Sequence, residues 1–190
     1  MAGELAGFEA LLRLPLPERL TIGPDRFIPI AEKTGLIESV GKWVLHEACR
    51  QAREWLDDGL ALARIAVNIS AIEISRSSFA DEVCDLLSSI PLDPGLLEIE
   101  LTESAIIGNL TESSRQMRKL RALGVRLAIG DFGMGYSSLS YLQSLPIDTL
   151  KIDRSFVQAI GSPQNKSPIV QAIVALGRHM GLKPSATKAA

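Results

Sequence analysis

Apolar residues along the chain fall into two alternating patterns. GFEALLR (7–13) with Leu14 is a short run that reads as a strand or strand end. Three prolines and turn-type residues between Pro15 and Pro24 make a loop. Residues 26–39 and 41–57 are amphipathic, with Phe27, Ile30, Ala31 and Leu36, then Val44, Leu45, Ala48, Ala52 and Trp55 at helical spacing. Gly59 is a stop signal for the second of these helices. ARIAVNIS (63–70) is a β-branched strand, followed by a helix over 72–89 that Pro91 closes. LLEIELTE (96–103) is the next strand, and the helix over 105–123 ends at Gly124. VRLAIGD (125–131) is a strand, then come a Gly-rich loop and a short helix near 137–144. TLKID (149–153) is a fifth strand. The helix over 166–181 carries Ile169, Val170, Ile173, Val174 and Met180 on one stripe. Short strands separated by helices mean repeated βα units and a mainly parallel sheet, in a barrel or a doubly wound arrangement. The tail KPSATKAA (183–190) lacks periodicity and is expected to be unstructured or foreign, leaving one domain over 1–182.

Composition narrows the class of partner. With 190 residues, 46% apolar and 22% charged, the chain has the makings of one ordinary globular domain. A net charge of −2 with interspersed signs argues against DNA or a membrane surface as the main partner, since both favour a basic face. Cys49 and Cys84 lie in helical apolar patterns without metal spacing and read as reduced core thiols. No run reaches the ~18 apolar residues of a membrane span. The N-terminus carries acid where a signal peptide needs base, so a cytoplasmic location without membrane insertion is expected.

The chemistry gathers where strands end. Asn68 closes one strand, Glu100 and Glu103 the next, Asp131 the next, and Lys151 with Asp153 the last. In parallel α/β folds the carboxyl ends of strands form the face that binds ligands. A single strand-end acid is usually a helix cap or a solvated loop residue. Four consecutive strands ending this way point to a site. Buried acids need a pairing charge or a metal, and Asn, Glu and Asp are hard oxygen donors suited to Mg²⁺, Mn²⁺ or Ca²⁺. His46 and His179 lie in helices, which argues against zinc. Glu98 alternates with Glu100 on the same strand face and belongs either to this group or to a lower layer. The loop DFGMGYSSL (131–139), with Ser137 and Ser138 ahead of a helix, is weak evidence taken alone.

In order, FEALLR, RFIPIAEKTGLI, VNIS, ELTES, DFGMGYSSLSYLQSLPID and LKIDRSFV make the chain, from about Gly7 to Leu182, resemble the EAL-domain family. Members of that family are phosphodiesterases that hydrolyse cyclic di-GMP on a TIM-barrel-like α/β fold. The resemblance implies that Glu9, Asn68, Glu100 and Asp131 hold Mg²⁺ or Mn²⁺. It implies that Arg13, with Leu12 and Asp153, contacts the dinucleotide, that Lys151 positions the attacking water, and that Glu103 braces the loop after Asp131. This chain departs from the pattern in three ways. Gly130 stands where the family has the first of two adjacent acids. The segments carrying the family's last strands and acids are not in the sequence. The strand before Glu9 is also missing, so about five βα units of an incomplete barrel are expected. Such an open sheet would pair with a second copy or a protein partner. Three readings follow: a catalytically inactive domain that binds cyclic di-GMP or a partner, an active metal-dependent phosphodiesterase, and a structural interaction module without nucleotide.

Overall fold

A computed structural model describes residues 7–15, 21–132, 142–153, 155–156 and 168–186. Its centre is a six-stranded sheet in which every pairing is parallel. The strands are β1 (Phe8–Ala10), β4 (Ile65–Ile69), β5 (Leu97–Thr102), β6 (Arg126–Phe132), β7 (Thr149–Ile152) and β8 (Lys183–Ala186), adjacent in that order. A two-residue antiparallel ladder, β2 (Leu14–Pro15) with β3 (Thr21–Ile22), lies beyond β1 in the chain. Among the described residues the sheet stays open, with β1 and β8 at its edges. The α/β reading and the incomplete barrel-like sheet therefore hold.

Helices cover one face of the sheet. They are α1 (Pro24–Thr34), α2 (Leu36–Asp57), α3 (Ala71–Ile74), α4 (Phe79–Ser89), α5 (Glu103–Ile107), α6 (Leu110–Ala122) and α7 (Pro168–His179). Period-two alternation sends Ile65, Val67 and Ile69, Leu97, Ile99 and Leu101, Leu127 and Ile129, and Leu150 and Ile152 toward them. All of these are buried in one core with Leu45, Ile74, Phe79, Met117 and Leu120. Cys49 is buried there and Cys84 half-buried, both as free thiols. The opposite face of the same strands carries Glu9, Asn68, Glu98, Glu100, Gly130, Thr149 and Lys151.

The first helical break lies at Gly35, in the left-handed region at φ 75°, and not near residue 40. Gly41 sits inside α2 for a different reason: a Cβ there would come within 1.6 Å of Glu73 Oε1. The predicted helix over 72–89 is two helices. Ser70 caps α3 in a capping box, accepting from the Glu73 N–H while the Glu73 carboxylate accepts from the Ser70 N–H. The helix predicted over 105–123 is also split, at Gly108 and Asn109, where Asn109 caps α6. Most of the helix predicted near 137–144, with Ser137 and Ser138, lies outside the described residues.

The tail reading needs correction over its first half. Residues 183–186 form β8, in register from Thr149↔Lys183 to Ile152↔Ala186. The Lys183 N–H also donates to the Asp148 carbonyl at 2.9 Å. Pro184 is tolerated because β8 is an edge, where a missing N–H breaks no ladder on the open side. Low β-propensity in KPSA hid a strand that β7 and α7 impose, with Gly177 of α7 close against Pro184. Residues 187–190 lie outside the described ones. Among the described residues, no helix is long and apolar enough to cross a membrane.

Leu101, fully buried between the sheet and the helices, tests the core directly. Leu101→Ala is expected to cost about 2–5 kcal/mol in urea unfolding. A loss under about 1 kcal/mol would show that the helices do not pack on β5 as described.

Candidate active-site cleft

Parallel register assembles the site. Asn68 of β4 lies directly across from Glu100 of β5, and Glu9 of β1 lies across from Ala66, one step down the same face. The Asn68 amide donates to Glu9 Oε1 at 2.9 Å. From β7, the buried Lys151 ammonium donates to Glu100 Oε2 and stands 3.9 Å from Glu9 Oε2 and 3.8 Å from Glu98 Oε1. One ammonium thus faces three carboxylates. Glu9, Asn68, Glu100 and Lys151 open onto a cleft of about 710 Å³ that Leu12, Arg13, Gly130, Asp131 and Asp153 also line. The exposed Arg13 side chain donates to the Leu12 carbonyl at 3.0 Å.

Asp131 reaches the cleft through a distortion. Strict alternation would put it beside Leu127 and Ile129, among the helices. Instead it adopts φ 51°, and the β6–β7 register shifts between Ile129 and Phe132. A left-handed non-glycine residue costs roughly 1–2 kcal/mol, strain that tends to be kept at functional sites. Burial raises the Asp131 pKa, and the charge of Asp153, to which it is hydrogen-bonded, raises it further. Asp153 is held by the Ser155 N–H at 2.7 Å. Burial likewise raises the Glu100 pKa, against the pull of Lys151 and with help from the charges of Glu9 and Glu98.

Below this layer Glu98 is wholly buried. Its Oε2 accepts from Arg64 at 3.0 Å and from Thr149 at 3.3 Å. Among the described residues its Oε1 has no hydrogen-bond partner, with the Lys151 ammonium 3.8 Å away. Glu103 is buried in the first turn of α5 and is not among the residues lining the cleft. The structure therefore brings Glu9, Asn68, Glu100, Lys151, Asp131, Asp153, Leu12 and Arg13 to one opening and leaves Glu103 behind its wall. Sequence reasoning passed over Arg64, Thr149 and the Ser70–Glu73 capping box. All three were findable: Arg64 and Thr149 share strand faces with Asn68 and Lys151, and Ser-Ala-Ile-Glu has capping-box spacing.

The donors suit a hard divalent ion chemically: they are carboxylate and amide oxygens, and the pKa values of Glu100 and Asp131 are raised first by burial and then by repulsion from neighbouring acids, both of which a cation would offset. Among the described residues, however, no three acidic or imidazole side chains meet in metal-binding geometry. Lys151 draws Glu100 to itself. At Gly130 a Cβ would lie 2.5 Å from Glu100 Oε1, so a side chain there would point straight at the Glu100 carboxylate.

A family model described as the EAL domain matches residues 1–188. The chain belongs to the EAL domain family. It is 47% identical over 181 residues to the bifunctional diguanylate cyclase/cyclic di-GMP phosphodiesterase MucR of Pseudomonas aeruginosa, covering 95% of this chain and 26% of MucR. It is 44% identical over 180-odd residues, 181 in all, to the cyclic di-GMP phosphodiesterase NbdA of the same organism, covering 95% of this chain and 23% of NbdA. The chain thus spans about a quarter of the length of these relatives. The solved phosphodiesterase domain of MucR in complex with c-di-GMP superposes with a TM-score of 0.91 at 46% identity, over 99% of this chain and 76% of that one. This EAL domain thus shares its fold with domains of cyclic di-GMP signalling proteins.

The raised acids set a pH dependence. Glu73, Glu100 and Asp131 all bind a proton more tightly in the native state than unfolded, mainly through burial. Their contribution to stability is full below the unfolded pKa and lost as pH rises through the folded one. In chelator, the urea midpoint is expected to rise between about pH 7.5 and about pH 5, before general acid unfolding sets in. A midpoint that falls steadily over that interval would contradict the repulsion described.

Proposed function

We propose that this EAL domain binds cyclic di-GMP in the cleft without hydrolysing it, and so serves as a nucleotide-responsive module in cyclic di-GMP signalling. Gly130 carries the reading. Its missing side chain would enter the carboxylate cluster at Glu100, so the cage is one oxygen donor short at its centre. Mg²⁺ tolerates poor coordination badly, and removing one acid from such a set lowers metal affinity and rate by orders of magnitude.

Binding asks less of the site. The cleft volume of about 710 Å³ falls in the range of small-molecule pockets. Arg13 offers a guanidinium fork to a phosphate at the cleft rim, and Lys151 offers a second positive charge at its floor. Leu12 and Asp153 flank the same opening. Glu9, Asn68, Glu100 and Asp131 would hold Mg²⁺ or Mn²⁺, which when bound polarises a phosphodiester and lowers the pKa of its water. Glu103 supports the wall from α5. The MucR complex, at 46% identity, shows c-di-GMP on a close structural relative. A second copy of the chain or a protein partner would pass the bound state on, in the cytoplasm where the nucleotide acts.

Hydrolysis to the linear dinucleotide is the competing reading, favoured by Glu9, Asn68, Glu100 and Lys151 standing together as a working site would need. Calorimetric titration of cyclic di-GMP with and without Mn²⁺ or Ca²⁺, followed by product analysis, separates the two. The expected result is heat of binding with no linear product, and a gain of turnover of at least about tenfold over background in Gly130→Asp. Turnover by the unaltered chain that Gly130→Asp leaves unchanged would overturn the inactive reading. Absence of binding heat would overturn nucleotide recognition.

A further inference from the structure

Lys151 presents a problem for any cation that enters the cluster. Its ammonium is buried and bonded to Glu100, the carboxylate that lies across from Asn68 and fills the space beside Gly130. Lys151 holds Oε2 of Glu100, so a divalent ion that takes both oxygens of that carboxylate displaces the ammonium. Pushing two like charges together in a low-dielectric pocket is prohibitive unless the lysine finds another anion.

One is built in. Glu98 lies two residues before Glu100 on the same strand face, wholly buried. Arg64 and Thr149 hold its Oε2 from the side away from the cleft. That leaves Oε1 as a buried acceptor without a hydrogen bond, 3.8 Å from Lys151 Nζ. An unsatisfied buried carboxylate oxygen is costly and rare in native structures. Here it lies just beyond hydrogen-bond reach of the one ammonium that would need it.

We propose that Glu98 is the second seat of Lys151: the ammonium sits on Glu100 when the cluster is metal-free and drops onto Glu98 Oε1 when a divalent cation occupies Glu100. Glu98 is a positioning residue acting through Lys151, and Arg64 with Thr149 keeps its carboxylate fixed for that role. The move is short, because the distance need close by less than about 1 Å to make an ordinary charge-assisted bond. The inference rests on the reading of Glu9, Asn68, Glu100 and Asp131 as cation ligands, but not on nucleotide binding.

The test uses Mn²⁺ alone, followed by its paramagnetic resonance signal, so a failure of cyclic di-GMP binding leaves it intact. Glu98→Gln keeps the side-chain volume and removes the charge that receives the ammonium. Mn²⁺ affinity is expected to fall about tenfold in Glu98→Gln, and the fall is expected to shrink to within about twofold when the change is made in a Lys151→Met background. An equal loss in both backgrounds would show that Glu98 acts by general charge or structure and would overturn the proposal. So would failure of the unaltered chain to bind Mn²⁺. Because Glu98→Gln disturbs a buried ion pair, a crystal of the unaltered chain soaked in Mn²⁺ supplies an independent readout. Lys151 Nζ is expected within hydrogen-bond distance of Glu98 Oε1, and an ammonium still on Glu100, or swung out into the cleft, would overturn the proposal.

Discussion

Three carboxylates from two strands, β1 and β5, share one buried ammonium, and the organisation of this domain follows from that constraint. Glu9, Glu98 and Glu100 cannot all be ionised on one face of a sheet without compensation. Lys151 supplies one charge from β7 and Arg64, just before β4, another. The compensation is incomplete, with two positive charges against three carboxylates, and burial raises the Glu100 pKa further. Residual negative charge at the mouth of a cleft is what a cation or a cation-bearing ligand would answer. The apolar face of the same strands provides the rigidity that holds such a strained arrangement together.

Gly130 changes the balance in a specific way. An acid at that position would add a fourth carboxylate against Glu100 and make a metal close to obligatory. Glycine avoids a further acid, and Lys151 with Arg64 answers two of the three charges that remain. The same substitution that weakens the case for catalysis therefore stabilises the metal-free site.

Much of this was legible in the residue pattern. β-Branched runs ending in Asn68, Glu100, Asp131 and Lys151 announced parallel strands with a polar face, and the register bears that out. What escaped was what only tertiary contacts decide. Pro184 and Ser185 have no intrinsic strand signal, and it is β7 that makes them a strand. Gly41 resembles a helix break in sequence, yet its lack of a side chain makes room for Glu73, 32 residues away in the chain, whose Oε1 an added Cβ would meet within 1.6 Å. Asp131 belongs by alternation to the helical side, and only a positive φ turns it into the cleft. Glu98 was visible as a face-mate of Glu100, but its dependence on Arg64 and Thr149 requires three strands to be placed together.

The central claim is that the cage of oxygen donors is breached at residue 130 while the rest of the pocket persists. Equilibrium dialysis against Mn²⁺, with cyclic di-GMP present at saturation, counts the ions the site can hold. The account predicts no more than one tightly held ion per chain, and one more in Gly130→Asp. Two tightly held ions in the unaltered chain would contradict it.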